Sequence, residues 1–174
     1  MSSEVTVVCT ANGRDNLLKR TLDSFNKFNT YKADIIIRDD SKDHVGQIKS
    51  CDILYSQVKT PYVFHIEEDW EFVKEGFIED CLEQIEDGVH SVWVRNSDDF
   101  DGYHRVKPLT DGKYVVPSPI SMGFSFNPHL FDMKYYDGFE KMAETPGVCP
   151  EDSIGKYLLP LKTIWIPGYC YHIG

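Results

Sequence analysis

Carboxylates at the ends of apolar runs are the groups in this sequence best placed to do chemistry. Glu67-Glu68-Asp69 follows directly on Tyr62-Val63-Phe64-His65-Ile66, and Asp39-Asp40-Ser41 closes the run Ile35-Ile36-Ile37. Thr10 and Asn12 end a third apolar run, with Gly13 and Arg14 just beyond. Mg²⁺ and Mn²⁺ take hard oxygen ligands and commonly bridge one or two carboxylates to substrate phosphates. A carboxylate pair at a strand end supplies half of such a cage. An isolated Glu-Glu-Asp is equally an ordinary solvated turn, so the neighbouring segments decide. Glu151-Asp152 after Pro150 suits the acidic first turn of a helix, which the helix dipole favours. Arg14 reads either as a first-turn helix residue or as a phosphate contact.

Short elements must position these groups. Residues 4–10 are β-branched and bounded by Asn12-Gly13, which predicts a buried strand ending in a turn. Residues 15–28 carry Leu17, Leu18, Leu22 and Phe25 at helical spacing. Residues 35–37 and 62–66 read as buried strands with a modest helix over 45–57 between them. An amphipathic helix is expected over 77–85 and a strand over 91–95. The stretch 96–119 is polar and turn-rich, with a hairpin strand at 114–116. A strand is expected at 123–127, a helix starting at Pro128, another near Glu151, and a last strand at 163–166 before Pro167-Gly168.

Strands alternating with helices predict an α/β fold, one domain with a mostly parallel central sheet flanked by helices. Ligands of such sheets bind beyond the carboxyl ends of the strands. Thr10, Asn12, Asp39, Asp40, Glu67 and Asp69 all fall there, so three strands would deliver polar tips to one edge.

Composition narrows the class. The 174 residues match one domain, 41% of them hydrophobic and 13% aromatic. A formal charge of −10 with dispersed Lys and Arg argues against nucleic acid as a partner. No apolar run approaches the ~18 residues that span a bilayer. The first residues lack a basic signal-peptide region. Cys9, Cys51, Cys81, Cys149 and Cys170 are odd in number and scattered, which suits reduced thiols. A soluble, cytoplasmic protein is expected.

The segment C-T-A-N-G-R-D-N-L-L-K-R-T-L-D-S-F resembles the first strand, turn and helix of family 2 glycosyltransferases with the GT-A fold. Asp39-Asp40-Ser41-Lys42-Asp43 resembles the D-D-x-S-x-D segment of that family, one residue shorter. Ile66-Glu67-Glu68-Asp69-Trp70 resembles its D-x-D motif, with Glu for Asp in the first place. Met122-Gly123-Phe124-Ser125 resembles the glycine-containing loop beside the donor sugar. Pro150-Glu151-Asp152 resembles the x-E-D motif, and Tyr171-His172 the C-terminal histidine of the metal shell. The motifs occur in family order from Val5 to His172.

The resemblance implies a single domain over 1–174, with a nucleotide-binding half over about 1–95 and an acceptor half over about 96–174. It implies transfer of a sugar from a nucleoside-diphosphate sugar to a glycan or other hydroxyl acceptor, with inversion. A UDP-sugar is the first candidate donor, with guanine and thymine nucleotides behind it. Asp69 and His172 would hold Mn²⁺ or Mg²⁺. Thr10, Asn12, Arg14, Asp39, Asp40, Glu67 and Glu68 would bind the donor. Asp152 would be the general base, with Gly123, Trp70 and Glu151 on the sugar and acceptor side; Trp70 suits a core position equally well. The loop with Asp98, Asp99, Asp101, Tyr103, His104 and Arg105 is the candidate for acceptor recognition. A nucleotidyltransferase would want a Gly-rich loop where T-A-N-G-R has one glycine. A metal-dependent hydrolase or a degenerate module that binds without transfer are the other readings.

Overall fold

The computed structural model describes residues 3–96, 107–108, 112–116, 123–146 and 148–174. The first three apolar runs form β1 (Val5–Ala11), β2 (Asp34–Asp39) and β3 (Tyr62–Glu67). They lie parallel in the order β2-β1-β3, with α1 (Asp15–Phe28) and α2 (Gln47–Tyr55) as the connections. Ala11 stands opposite Asp39, and Thr10 opposite Glu67. The polar tips therefore end flush, as the sequence predicts.

The chain continues through β4 (Trp70–Phe72), α3 (Phe77–Leu82), β5 (Val89–Arg95), β6 (Lys107–Pro108), β7 (Tyr114–Val116), β8 (His129–Asp132), α4 (Phe139–Met142), α5 (Pro150–Tyr157) and β9 (Lys162–His172). The described strands form one sheet ordered β2-β1-β3-β8-β5-β9-β7-β6, with β4 pairing on the end of β9. The sheet is mixed: β5 and β9 are parallel, while β8 runs antiparallel to both β3 and β5.

Helices cover both faces, which is why β1 is buried at every residue. Phe25, Phe64, Phe72 and Phe77 fill the α1 and α3 face, and Tyr55, Phe124, Phe131 and Phe139 the α2, α4 and α5 face. Phe25 and Phe72 meet edge to face at 5.3 Å, and Tyr55 and Phe139 at 4.7 Å. Each such ring contributes about 1.5–3 kcal/mol by leaving water. The five cysteines are free thiols, Cys149 exposed and the others buried. Among the described residues no helix is long and apolar enough to cross a membrane.

Three expectations are corrected. Residues 123–128 form no strand, and Pro128 starts no helix; β8 begins at His129 instead. All four β8 residues are buried between β3 and β5, and that long-range pairing overrides the local helix-start signal. Pro167-Gly168 does not end the last strand but lies within β9. Gly168 has φ +99°, and β9 advances five residues from Trp165 to Cys170 while β5 advances two. A proline is tolerated in such a bulge, where no ladder bond is required of it. The candidate acceptor residues from Asp98 to Arg105, and Met122, lie outside the described residues.

Gly155 fixes how closely α5 approaches the sheet. A Cβ there would lie 3.0 Å from Gly123 N and 3.2 Å from Phe124 N, both main chain. Gly155→Ala gains up to about 1 kcal/mol of helix propensity but incurs about 1–3 kcal/mol of overpacking. The expected outcome is a net loss near 1 kcal/mol, seen as a melting midpoint about 2–4 °C lower.

Candidate nucleotide and metal site

The turn after β3 is held from α1. Thr21 Oγ1 donates to Glu68 O at 2.7 Å and accepts from Trp70 N at 3.1 Å. Ser24 Oγ accepts from Phe72 N at 3.0 Å. These buried hydroxyls sit on the inward, otherwise apolar face of an amphipathic helix, a signal the sequence reading passed over.

Glu68 points inward and is 2% exposed. Its carboxylate accepts from Asn12 N at 2.9 Å, Arg14 N at 3.3 Å and Arg14 Nε at 2.6 Å. A buried charge needs such partners, since it is costly without them. The bond to Glu68, reinforced by Asp69, raises the pKa of Arg14. Glu68 thus ties the β1 tip to the β3 tip, and Asn12 enters the site through its main chain.

Asp69 stands one residue further out. Its Oδ2 lies 2.7 Å from Arg14 Nη2 and 3.3 Å from His172 Nε2. The histidine arrives because β4 and β9 pair, with Trp70 opposite His172 and Ile173 N donating to Asp69 O at 2.9 Å. Residues more than a hundred positions apart in sequence therefore meet on one oxygen. Trp70 is 1% exposed, its ring 5.1 Å from that of His172. It supports the site from the core side. Among the described residues no three His, Cys, Asp or Glu side chains converge as a metal cluster.

A cleft of about 240 Å³ opens beside this turn, lined by Thr10, Ala11, Asn12, Arg14, Asp40, Gln47, Ser50, Glu67 and Glu68. Asp39 accepts from Gly13 N and Ser41 N, each at 3.0 Å, and the Ser41 hydroxyl, reinforced by these main-chain bonds, lowers its pKa. Gly13 has φ +76°, and a Cβ there would sit 3.0 Å from Ser41 Cβ, so the position wants glycine. Asp40 takes Ser50 Oγ at 2.7 Å, Val45 N at 3.0 Å and Gly46 N at 3.1 Å, organising the entry to α2. Glu67 accepts from Gln47 Nε2 at 2.9 Å. Burial, with Asp69 next, pushes its pKa up to about 7. Gln47 and Ser50, one helical turn apart on α2, are cleft residues the sequence reading missed; α2's weak amphipathic pattern hid its inward face.

Glu151 and Asp152 occupy the first turn of α5. Glu151 Oε1 accepts from Phe126 N at 2.8 Å and Ser125 Oγ at 3.0 Å. Its negative charge is felt by Glu67. Asp152 is half-buried beside it. Gly123 is held by Thr163 Oγ1, which donates to its carbonyl at 2.5 Å.

No family model matches the sequence, and no curated protein matches it. Solved structures do match. The mannosyltransferase PcManGT from Pyrobaculum calidifontis, in complex with GDP-Man and Mn²⁺, superposes with TM-score 0.68 at 14% identity over 99% of this chain. S. aureus TarS 1-349 in complex with UDP-GlcNAc gives 0.63 at 12% over 96%, and GalNAc-T7 with UDP, GalNAc and Mn²⁺ gives 0.66 at 11% over 98%. The chain has the GT-A fold. It spans 57%, 57% and 43% of those three chains, about half their length. In GT-A terms its cleft lies at the carboxyl ends of β1, β2 and β3, where open α/β sheets take ligands.

Proposed function

We propose that this protein is a metal-dependent glycosyltransferase, moving a sugar from a nucleoside-diphosphate sugar to a hydroxyl acceptor with inversion. The observation that carries the reading is the meeting of Asp69 and His172 on one oxygen, at the edge of a cleft built from three strand tips. That donor set suits a hard cation completed by substrate phosphates. Arg14 already places a positive group on the same carboxylate, so the position is arranged for a cation. When bound, the metal would supply charge neutralisation at the diphosphate leaving group.

The chain's own residues would do the rest. Thr10, Asn12, Asp39 and Asp40 would shape the nucleoside pocket, with Glu67 and Glu68 forming its floor. Arg14 would face the phosphates, as a guanidinium fork suits them. Glu151 would hold the segment from Gly123 to Phe126 against the sugar, and Asp152 would take the proton of the attacking hydroxyl. The ligands named for PcManGT, TarS and GalNAc-T7 support a nucleotide-sugar donor, UDP-sugars first.

Calorimetric titration of UDP, GDP and TDP, with and without Mn²⁺, tests the proposal. One nucleotide should bind, and the metal should tighten it by tenfold or more, about 1.4 kcal/mol. Asp69→Ala should remove that increment and leave the melting midpoint nearly unchanged. If the folded wild-type protein binds none of the three, the transfer reading fails.

A further inference from the structure

We propose that Arg14 and the divalent ion compete for Asp69, so that the guanidinium keeps the metal position closed until a nucleoside diphosphate draws it away. The inference rests on the metal reading above and adds an order to it. Arg14 Nη2 lies 2.7 Å from Asp69 Oδ2, the oxygen that also faces His172 Nε2 at 3.3 Å. A carboxylate oxygen paired with a guanidinium at this distance is a weaker ligand for a divalent cation, because the two positive charges would be brought close together.

The geometry lets the guanidinium leave cheaply. The Arg14 side chain is 48% exposed, and its Nε is anchored separately on Glu68 Oε1 at 2.6 Å. Rotation about that anchor would release Asp69 without moving the main chain. Glu68 would keep its bonds from Asn12 N and Arg14 N, so no buried charge would be stranded. Arg14 lines the cleft, where an incoming diphosphate would compete with Asp69 for the fork. Nucleotide and metal would then promote each other's binding, and by linkage the coupling is reciprocal.

The test is Mn²⁺ binding followed by the electron paramagnetic resonance signal of the free ion, with and without UDP, on wild type, Arg14→Gln and Asp69→Ala. Arg14→Gln should bind Mn²⁺ alone about tenfold more tightly than wild type, and the tightening caused by UDP should shrink. An Arg14→Gln protein that binds Mn²⁺ no better than wild type, while Asp69→Ala loses it, overturns the competition and leaves the metal reading standing. An Asp69→Ala protein that binds like wild type overturns both. Should Arg14→Gln fail to fold, the Arg14 Nε–H resonance of the wild-type protein decides. It should move little with Mg²⁺ alone and shift clearly with Mg²⁺ plus UDP; no shift with both together rejects the proposal.

Discussion

Between pH 6.5 and 4.5 the protein should lose roughly 5 kcal/mol of stability, a large part of the ~5–15 kcal/mol typical of a domain. The cause is a set of three buried histidines, His65 on β3, His90 on β5 and His129 on β8. His65 and His129 are fully buried and stack at 5.3 Å with 13° between their planes, and His90 is 1% exposed. Neither ring nitrogen of His65 has a hydrogen-bond partner among the described residues. Burial pushes His129 down to about 4, His90 to about 3 and His65 well below its usual range.

Below pH 6.5 the unfolded chain protonates these rings and the folded chain does not, so acidification favours unfolding. Glu67 acts in the opposite sense. Its folded pKa of about 7 lies above the unfolded value, so between pH 7 and 4.5 proton uptake stabilises the fold. Three groups against one leave about two protons, or roughly 2.7 kcal/mol per pH unit. Asp39, Asp40 and Asp137 have lowered pKa values and cost stability only below about pH 4, outside this window. Urea unfolding at a series of pH values measures the slope. His65→Leu should reduce it by about 1.4 kcal/mol per unit, and a flat wild-type profile would refute the account.

The second large effect is expected at Asp152. Asp152→Asn keeps the shape of the side chain and its place in the first turn of α5 but cannot accept a proton. Transfer should fall by about 10²–10⁴-fold, the usual worth of a positioned general base. Nucleotide affinity should stay within about twofold, because the affected step is proton transfer and not uniform binding. Helix stability should change by only about 0.3–1 kcal/mol from the lost charge near the N-terminus. Steady-state rates with the acceptor found by screening, set beside calorimetry of the same variant, separate these quantities. A variant that turns over at the wild-type rate would place the base elsewhere.

Much of the first half is legible in the sequence because its signals are local. β-branched runs bounded by turn residues mark β1, β2 and β3, and helical spacing marks α1. The flush carboxylates follow once those strands are taken as parallel. What stays hidden is whatever distant pairing decides. Nothing near His129 says that it will be pressed between β3 and β5, so the local proline suggests a helix where a central strand forms. β4 is three residues long and exists because β9 pairs with it. Glu68 reads as another acid of a cluster, yet its partners come from Asn12 and Arg14, on the β1 side of the site. The inward-facing Thr21 was open to detection as a polar interruption of an apolar stripe; Gln47 was not, since α2 carries no clear stripe.

The irregular stretch inside β9 sets where His172 lands beside Asp69. Upstream of it, Thr163 to Trp165 are locked to β5; downstream, Cys170 to His172 are locked to β4. The intervening residues leave the β5 register, while Ile166 and Tyr169 stay buried in the core. One residue added or removed there would slide His172 along β4 by about 3.3 Å and turn its side chain to the opposite face, and it would turn the fully buried Cys170 out of the core with it. The fold thus couples the placement of its histidine to the packing of its sheet, so the length of the Pro167-Gly168 stretch is set by the core as well as by the site.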